Sequence, residues 1–442
     1  MITVALFYLT FLSTIFMAIR HSALYLFVLY QAYYFFNPKT KWWDDYVPDI
    51  RFSFYIVLTL LIVTIIKWPT LSENKLLKVP QFKFLYLFVA LYGIASFYAI
   101  FPDSHAIAFD AILTATVVIT VVYKLVKTPK DLDLIIYGYI GFATYLAYYI
   151  NQIGRVSMGR FQGAGMVDSP DANGVAAALA PTIVLCLYYF WRSKTWKKKL
   201  LFTIAIAFIA SSLVQVGSRG AFLGVATAVS LFLAYMYFSK TRTRNQRWTV
   251  IGLIIMGLIG TAVVTDDIFW ERAKSIVADT KKDVTEQQTG ATRVHFWTAA
   301  WDMSKDYPFG QGSRSFIYYS PRYIPPDINT GNSRNRAVHS TWFEVLTEAG
   351  YPGLIAFVLT MVMCIKTCTK AANKLKGSNL QDDYYKILAI KCAFIGFMVT
   401  MTFLNRARAE ILYWLILYSA CVYNVYFLKG TQVSDQLKTK NN

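Results

Sequence analysis

Long runs of apolar residues, separated by short polar connections, recur along most of the chain. An α-helix needs about 20 residues to cross the ~30 Å apolar core of a bilayer, and most of these runs approach that length. The pattern predicts thirteen candidate spans, near residues 1–18, 22–36, 52–66, 84–101, 106–126, 132–150, 174–191, 200–215, 220–238, 249–265, 351–366, 385–404 and 409–428. Only Arg20 and His21 separate the first two runs, so twelve spans are the alternative. We therefore expect an all-α polytopic membrane protein with about 12–13 transmembrane helices.

The composition excludes the other broad classes of protein. The 442 residues are 56% hydrophobic and only 16% charged, whereas soluble domains carry roughly 25% charged residues. A soluble multidomain protein, a disordered chain, a collagen and a coiled coil are all inconsistent with this balance. The N-terminal apolar run has no basic flank and no small-residue cleavage site, so we expect it to remain as a span.

The formal net charge of +19 raises the question of nucleic acid binding. The distribution of the charge favours another interpretation, because cytoplasmic loops of membrane proteins collect Lys and Arg. Basic residues crowd three short connections: Arg192, Lys194, Lys197, Lys198 and Lys199; Lys240, Arg242, Arg244 and Arg247; Lys366, Lys370, Lys374 and Lys376. These connections are predicted to be cytoplasmic, and no nucleic acid partner is expected. Segments 151–173, 216–220, 267–350 and 405–409 then face outward, and the N-terminus lies outside with thirteen spans or inside with twelve.

The chain is expected to have four parts. An N-terminal bundle covers 1–266, a periplasmic segment covers 267–350, C-terminal spans cover 351–428, and a cytoplasmic tail covers 429–442. Within the periplasmic segment, the helical spacing of apolar residues in 291–307 predicts an amphipathic helix that lies on the membrane surface or caps the bundle. The sequence predicts a second helix from about His339 to Gly350.

Ionisable residues near the outer membrane face are the candidates for chemistry, because charge is costly to bury there. They form three groups: Arg155, Arg160, Asp168, Asp171 and Asn173; Arg219; and Arg293, Arg314, Arg334, Arg336 and His339. Arginine donates two parallel hydrogen bonds to a diphosphate, and a histidine among cations stays neutral and able to act as a base. The alternatives are that the arginines contact phospholipids, that His339 is a solvated loop residue, and that Asp168 and Asp171 cap their own turn.

Several kinds of site are missing from the sequence. It has no P-loop, no GxGxxG, no HExxH and no cysteine spacing typical of a metal site, so no metal or cofactor is expected. Without a nucleotide site, the energy should come from a donor that is already activated. Charged residues do not recur in the middle of several spans, which disfavours a transporter.

Four stretches occur in the order of a known family: GRFQG with SPDANGVAAALAP, GSRGAFLG, TRVHFWTAAWDMSKDYPFGQGSRSF, and HSTWFEVLTEAGYPGLIAF. They resemble the O-antigen ligase and polymerase superfamily of bacterial inner-membrane glycosyltransferases. The N-terminal stretch IRHSALYLFVLYQAYYFFNP also resembles O-glycosylation ligases associated with exosortase A systems.

The resemblance implies a GT-C-like, metal-independent enzyme of the bacterial inner membrane with its active site facing the periplasm. Such an enzyme takes a glycan from undecaprenyl diphosphate and transfers it, with inversion, to a hydroxyl of lipid A core or another acceptor. The essential histidine of the family corresponds to His339, which is followed by Ser340 where many relatives have Asn. The family's arginines correspond to Arg160, Arg219 and Arg293.

On this resemblance, His339 would take the proton from the acceptor hydroxyl. Arg160 and Arg219 would hold the diphosphate, and Arg293 would assist it or position the long segment. Apolar grooves between spans would hold the polyprenyl tail. A polysaccharide polymerase, a protein O-oligosaccharyltransferase and a flippase for lipid-linked glycans remain the alternatives.

Overall fold

The computed structural model describes residues 2–429 except 40, 42, 67–73, 156–160, 162, 164–165, 167, 169–170, 241–244, 268, 271–289, 329 and 331–332. The described residues form helices and connections without a β-strand. Ten of the described helices are long and apolar enough to cross a membrane, and two further apolar helices are shorter. The prediction of an all-α polytopic membrane protein is therefore confirmed. The candidate residue Arg160 and the tail beyond Lys429 lie outside the described residues.

Each of the thirteen apolar runs overlaps a helix. The helices are α1 (Ile2–Arg20), α2 (Leu24–Phe36), α3 (Phe52–Ile66), α4 (Pro80–Ile94), α5 (Pro102–Leu125), α6 (Pro129–Ile153), α7 (Ala172–Arg192), α8 (Trp196–Val216), α9 (Arg219–Phe238), α10 (Gln246–Val264), α11 (Gly290–Asp306), α12 (Ser315–Tyr323), α13 (Thr341–Leu375), α14 (Gln381–Thr402) and α15 (Glu410–Val422). Short 3₁₀ turns cover Asp44–Tyr46, Leu76–Lys78 and Ala95–Phe97, and a π-helical turn, Tyr423–Leu428, continues α15.

The centre of the bundle consists of helices that are apolar on all sides. All residues of α15 except Glu410 and all residues of α2 except Tyr25 are buried, whereas α1 and α10 are largely exposed. In a bilayer a helix that is apolar on all sides can pack in the interior, as α2 and α15 do, or present side chains to lipid, as α1 and α10 do.

Helices α9 and α14 approach each other closely because glycines face each other. A Cβ atom built on Gly224 would lie 2.5 Å from the carbonyl oxygen of Gly396, and one built on Gly396 would lie 2.5 Å from that of Gly224. No side chain fits in this space, so the pair lets the two backbones meet. The contact fixes α9, and therefore its first residue Arg219, beside the end of α14.

The predicted amphipathic helix is α11, and it caps the bundle. Its Phe296, Ala299 and Met303 lie in a small separate core with residues from α12 and the segment before α13. Trp297 stacks near Phe343 and contacts Phe403, with ring centroids 6.0 and 6.2 Å apart. The opposite face exposes Val294 and Trp301.

The long helix α13 has a kink where the segment after α11 docks. Gly350 has φ +67°, and Pro352 has no N–H to give to the carbonyl of Glu348. The N–H groups of Gln311 and Gly312 bond instead to the carbonyls of Thr347 and Glu348, at 2.9 and 3.0 Å. The kink therefore leaves two backbone carbonyls of α13 without a partner in their own helix, and N–H groups of the docked segment bond to them.

Candidate functional site

His339 lies just before α13, in a segment that is fixed to the turn between α14 and α15. The N–H of the next residue, Ser340, donates to Asn405 Oδ1 at 3.0 Å. Thr341 Oγ1 donates to the carbonyl of Leu404 at 2.6 Å and accepts the N–H of Arg406 at 2.9 Å. These bonds hold the backbone on which His339 adopts φ +51°, a left-handed conformation that is uncommon for a non-glycine residue.

The half-buried imidazole of His339 is neutral at pH 7. Burial is the main reason that the pKa of His339 is lowered to about 4, and the cations of Arg293 and Arg336 lower it further. The carboxylate of Asp171 acts in the opposite direction and raises the pKa. His339 is therefore surrounded by two arginines and one aspartate, and it is free of a proton over the ordinary pH range.

The structure brings Arg219 and Arg293 to the same end of the bundle as His339. Arg293 is on α11, one turn before Trp297, whose Nε1 donates to the carbonyl of Val338 at 3.1 Å. Trp297 contacts Phe403, and a Cβ atom on Gly220 would lie 3.0 Å from that of Phe403. A chain of contacts thus runs from the start of α9 to the residue before His339. We call this end of the bundle the His339 end.

The described members of the first predicted group, which lies in segment 151–173, have different partners in the structure. Phe161, the residue after Arg160, donates its N–H to the carbonyl of Gln215 at 3.1 Å near the end of α8. Arg155 forms an ion pair with Asp266. Asp171 accepts the N–H of Gly174 at 3.0 Å, so the prediction that it caps a helix is confirmed.

Asp168 bonds to distant parts of the chain. Its Oδ1 accepts the hydroxyl of Tyr34 at 2.7 Å, and its Oδ2 accepts the N–H of Glu410 at 2.7 Å. These two bonds run to α2 and α15, and they fasten Asp168 to the centre of the bundle.

Arg406 and Arg408 were not predicted as site residues, yet they organise the His339 end. Arg406 is buried, and its Nη2 lies 2.9 Å from Asp171 Oδ2. Arg408 Nη2 lies 2.6 Å from Glu344 and 3.1 Å from Glu348, while Nη1 donates to Ser313 Oγ at 2.8 Å. Burial works against the charge of Arg408, but Glu348 and Glu344 outweigh it and raise the pKa of Arg408 above its usual value.

The signal for these two arginines was present in the sequence. They lie in NRARAE, a short outward turn between two apolar runs, which is the criterion that selected Arg219. The acidic partners of Arg408 could not be predicted from the pattern. Glu344 and Glu348 are about 60 residues away, in a segment that the sequence predicted only as a helix.

The remaining arginines of the long segment have separate surroundings. Arg334 donates to the carbonyl of Pro325 at 2.9 Å, and Arg314 has an exposed side chain and a backbone N–H bonded to Glu348 at 3.2 Å. Within the part of the chain that the structure describes, no group of three or more His, Cys, Asp or Glu residues is arranged to hold a metal ion. The five cysteines are buried.

Part of this chain resembles one family of known proteins. Residues 204–358 match the family model of O-antigen ligase. Over this segment, the chain is similar to the O-antigen ligase family. The O-antigen ligase match extends from α8 into α13 and includes Arg219, Arg293 and His339, while the turn with Arg406 and Arg408 follows it.

A second similarity covers more of the chain but says less about function. An uncharacterised protein of Haemophilus influenzae is 25% identical over 252 residues, which are 55% of this chain and 61% of that protein. The matched region thus spans less than two thirds of the relative's own length.

Proposed function

We propose that this protein is a glycosyltransferase of the bacterial inner membrane. It transfers a glycan from undecaprenyl diphosphate to an acceptor hydroxyl on the periplasmic face. The observation that carries the proposal is the position of His339, which lies in the matched segment, is held in a left-handed conformation, and is neutral beside Arg293 and Arg336.

In this proposal His339 is the general base. The acceptor hydroxyl oxygen attacks the anomeric carbon, and the bond from that carbon to the diphosphate oxygen breaks. The hydroxyl proton goes to the imidazole, and the electron pair leaves with the diphosphate. One displacement inverts the anomeric carbon, and it requires no metal or cofactor.

The arginines supply the electrostatic part of this reaction. Arg219 and Arg160 hold the diphosphate and stabilise the charge that develops on it as it leaves, and Arg293 assists them. Arg293 also links donor binding to the base. Its charge lowers the pKa of His339 in the free protein, and an anionic diphosphate beside it offsets that charge. His339 therefore becomes a stronger base when the donor is bound.

The test is a transfer assay in reconstituted vesicles with an undecaprenyl-diphosphate glycan from the native host. We compare wild type with His339→Ala and His339→Asn, because Asn tolerates the left-handed conformation and removes the base. His21→Asn is the control, since His21 is an exposed histidine beyond the end of α1. We expect product from wild type and His21→Asn, and at least a 100-fold loss in both His339 variants.

The acceptor is identified in the same assay. Lipid A core, a second lipid-linked glycan and a Ser- or Thr-containing protein are supplied separately. They distinguish a ligase, which we propose, from a polymerase and a protein O-oligosaccharyltransferase. Full activity of the His339 variants contradicts the role of the base. Movement of the donor to the other face of the vesicle without transfer contradicts the enzyme and identifies a flippase.

A further inference from the structure

Arg314 and His339 share a backbone conformation that is rare outside glycine. Among the described residues, they are the two non-glycine positions with a left-handed φ, +64° at Arg314 and +51° at His339. A side chain is strained in this conformation because its Cβ atom crowds the backbone, and such strain collects at functional sites. His339 is the proposed base, whereas Arg314 has no part in the reaction described above.

The strain at Arg314 is not explained by the local structure. Arg314 is the N-cap residue of α12, and its side chain makes no capping bond to a described residue. Arginine has no acceptor atom with which to cap a helix, and its positive charge opposes the helix dipole at this end. Asparagine would suit both the left-handed φ and the cap. The arginine therefore needs a reason that lies outside α12.

Bonds on both sides hold the backbone of Arg314. The N–H of Ser313 donates to His105 Nδ1 at 3.1 Å, and the N–H of Arg314 donates to Glu348 Oε1 at 3.2 Å. Ser315 Oγ donates to a backbone carbonyl of α13 at 3.1 Å, and both serines are fully buried. The strained conformation therefore persists because contacts with α5 and α13 determine it.

The guanidinium of Arg314, in contrast to its backbone, is not engaged. Arg314 is exposed, and within the described part of the chain its side chain forms neither an ion pair nor a hydrogen bond. Glu348, which accepts the N–H of Arg314, is buried and already bonded to Arg408 and Tyr92. A cation that is held in a fixed place and has no described anion beside it suits an anionic ligand.

An exposed aromatic ring lies one turn beyond Arg314. Tyr318 is four residues later, and residues at this spacing are neighbours on a helix surface. Tyr318 is 60% exposed, and the ring of Phe101 packs edge-on against it with centroids 5.7 Å apart. The opposite face of α12 buries Phe316. We call the exposed side, with its guanidinium and its supported ring, the Arg314/Tyr318 face.

This pair of groups matches an acidic sugar. A guanidinium donates two parallel hydrogen bonds to a carboxylate, and an aromatic ring offers a flat apolar surface to the C–H face of a sugar ring. The face also lies beside the His339 end without overlapping it. Glu348, which is bonded to Arg314, is eight residues after Ser340 on α13, and this interval corresponds to about 12 Å of helix.

We propose that the Arg314/Tyr318 face binds a sugar that carries a carboxylate, in a glycan substrate of the proposed transferase. This inference rests on the proposed function, because it takes the kind of ligand from it. The carboxylate bonds to Arg314, and the ring of the sugar stacks on Tyr318, at a distance from the bond that His339 helps to form. The face thus selects the glycan and takes no part in the displacement. The acidic sugar belongs to the donor glycan or to the acceptor, and experiment separates these two sources.

The transfer test compares acidic with neutral substrates. The donor and the acceptor of the native host are each supplied in their natural form and with the sugar carboxylates replaced by alcohols. We expect wild type to prefer the natural form of one of them at least tenfold in kcat/KM, through a lower KM. A preference in the donor assigns the face to the donor glycan, and a preference in the acceptor assigns it to the acceptor. Native substrates without a sugar carboxylate, or no preference in either, overturn the inference.

Arg314→Asn separates ligand binding from structure. Asparagine relieves the strain and caps α12, so we expect a higher melting temperature together with a KM for the acidic substrate that rises at least tenfold. The preference for the carboxylate should disappear. Tyr318→Ala should raise KM for the acidic and the neutral forms alike. Arg20→Asn is the control, because Arg20 is an exposed arginine 5.9 Å from the Phe16 ring on α1, and it should keep the preference. An undiminished preference in Arg314→Asn overturns the inference.

A binding test decides the inference even if transfer fails. Saturation-transfer NMR is recorded on the protein in detergent with cellobiouronic acid, a glucose disaccharide whose non-reducing unit is glucuronic acid, and with neutral cellobiose. We expect at least a fivefold stronger signal from cellobiouronic acid in wild type and Arg20→Asn, and equal signals from both sugars in Arg314→Asn. Equal signals in wild type overturn the inference, and displacement of the acid by phosphatidylglycerol assigns the face to a lipid head group instead. Binding of the acid without any transfer contradicts the proposed function and not the Arg314/Tyr318 face.

Discussion

Arg406 donates to Asp171 at 2.9 Å, and this ion pair joins side chains that are 235 positions apart. Asp171 caps α7, and Arg406 lies in the turn between α14 and α15. Burial opposes ionisation of Asp171, but the Arg406 cation and the Gly174 N–H outweigh it and lower the pKa of Asp171. The pair therefore fixes a permanent anion whose charge acts on His339.

Asp171→Asn should make His339 a weaker base. Asparagine keeps the helix cap, since Asn and Asp cap about equally well, but it removes the charge that raises the pKa of His339. The pKa of His339 then falls, so the acid limb of kcat/KM moves to lower pH while the plateau drops about threefold to tenfold. A pH profile of transfer measures both effects. Asp302→Asn, at an acid paired with Lys305 on α11, is the control. An unchanged profile would contradict the role of Asp171.

Arg293→Gln should have the opposite effect on the acid limb. The Arg293 cation lowers the pKa of His339, which is about 4 in the wild type, so its removal raises that pKa. The acid limb of the remaining activity then moves to higher pH, although donor binding is weakened. Arg322→Gln changes an exposed arginine on α12 and should leave the limb in place. A limb that stays near pH 4 in Arg293→Gln would show that the two side chains do not interact.

Arg408→Met should destabilise the protein by about 3–5 kcal/mol, because it leaves Glu344 and Glu348 buried without their cation. The triple variant with Glu344→Gln and Glu348→Gln removes the unpaired charges and should recover most of the loss. Thermal unfolding in detergent measures both. Equal destabilisation of the single and triple variants would mean that packing, rather than charge, is the contribution of Arg408.

Gly224→Ala should separate α9 from α14. Its Cβ atom would lie 2.5 Å from the carbonyl oxygen of Gly396, so the helices must move apart, at a cost of about 1–3 kcal/mol. Arg219 moves with α9, and we expect a higher KM for the donor as well as a lower melting temperature. Gly252→Ala on α10 meets no atom within 4 Å and should change neither. Wild-type values for Gly224→Ala would contradict the close contact.

Most of the helices could be predicted from the sequence because a transmembrane helix is a local property. Twenty apolar residues in a row satisfy their backbone within one segment, whatever the rest of the chain does. For this reason the thirteen runs overlap helices. Residue type and position made His339 and the arginines of α9 and α11 candidates, and the family resemblance selected them from a larger group. The kink at Gly350, with Pro352 two residues later, was also visible as a break in the pattern.

The sequence by itself therefore determined the class of protein, the positions of its helices and the residue types that suit a diphosphate and a proton. Only the tertiary structure decided which of those residues meet. That Asp168 bonds to Tyr34 and Glu410, and that Arg408 has two acidic partners, depends on contacts between segments far apart in the chain. Apolar periodicity carries no information about such pairs, because it fixes which face of a helix is buried and leaves open which helix covers it.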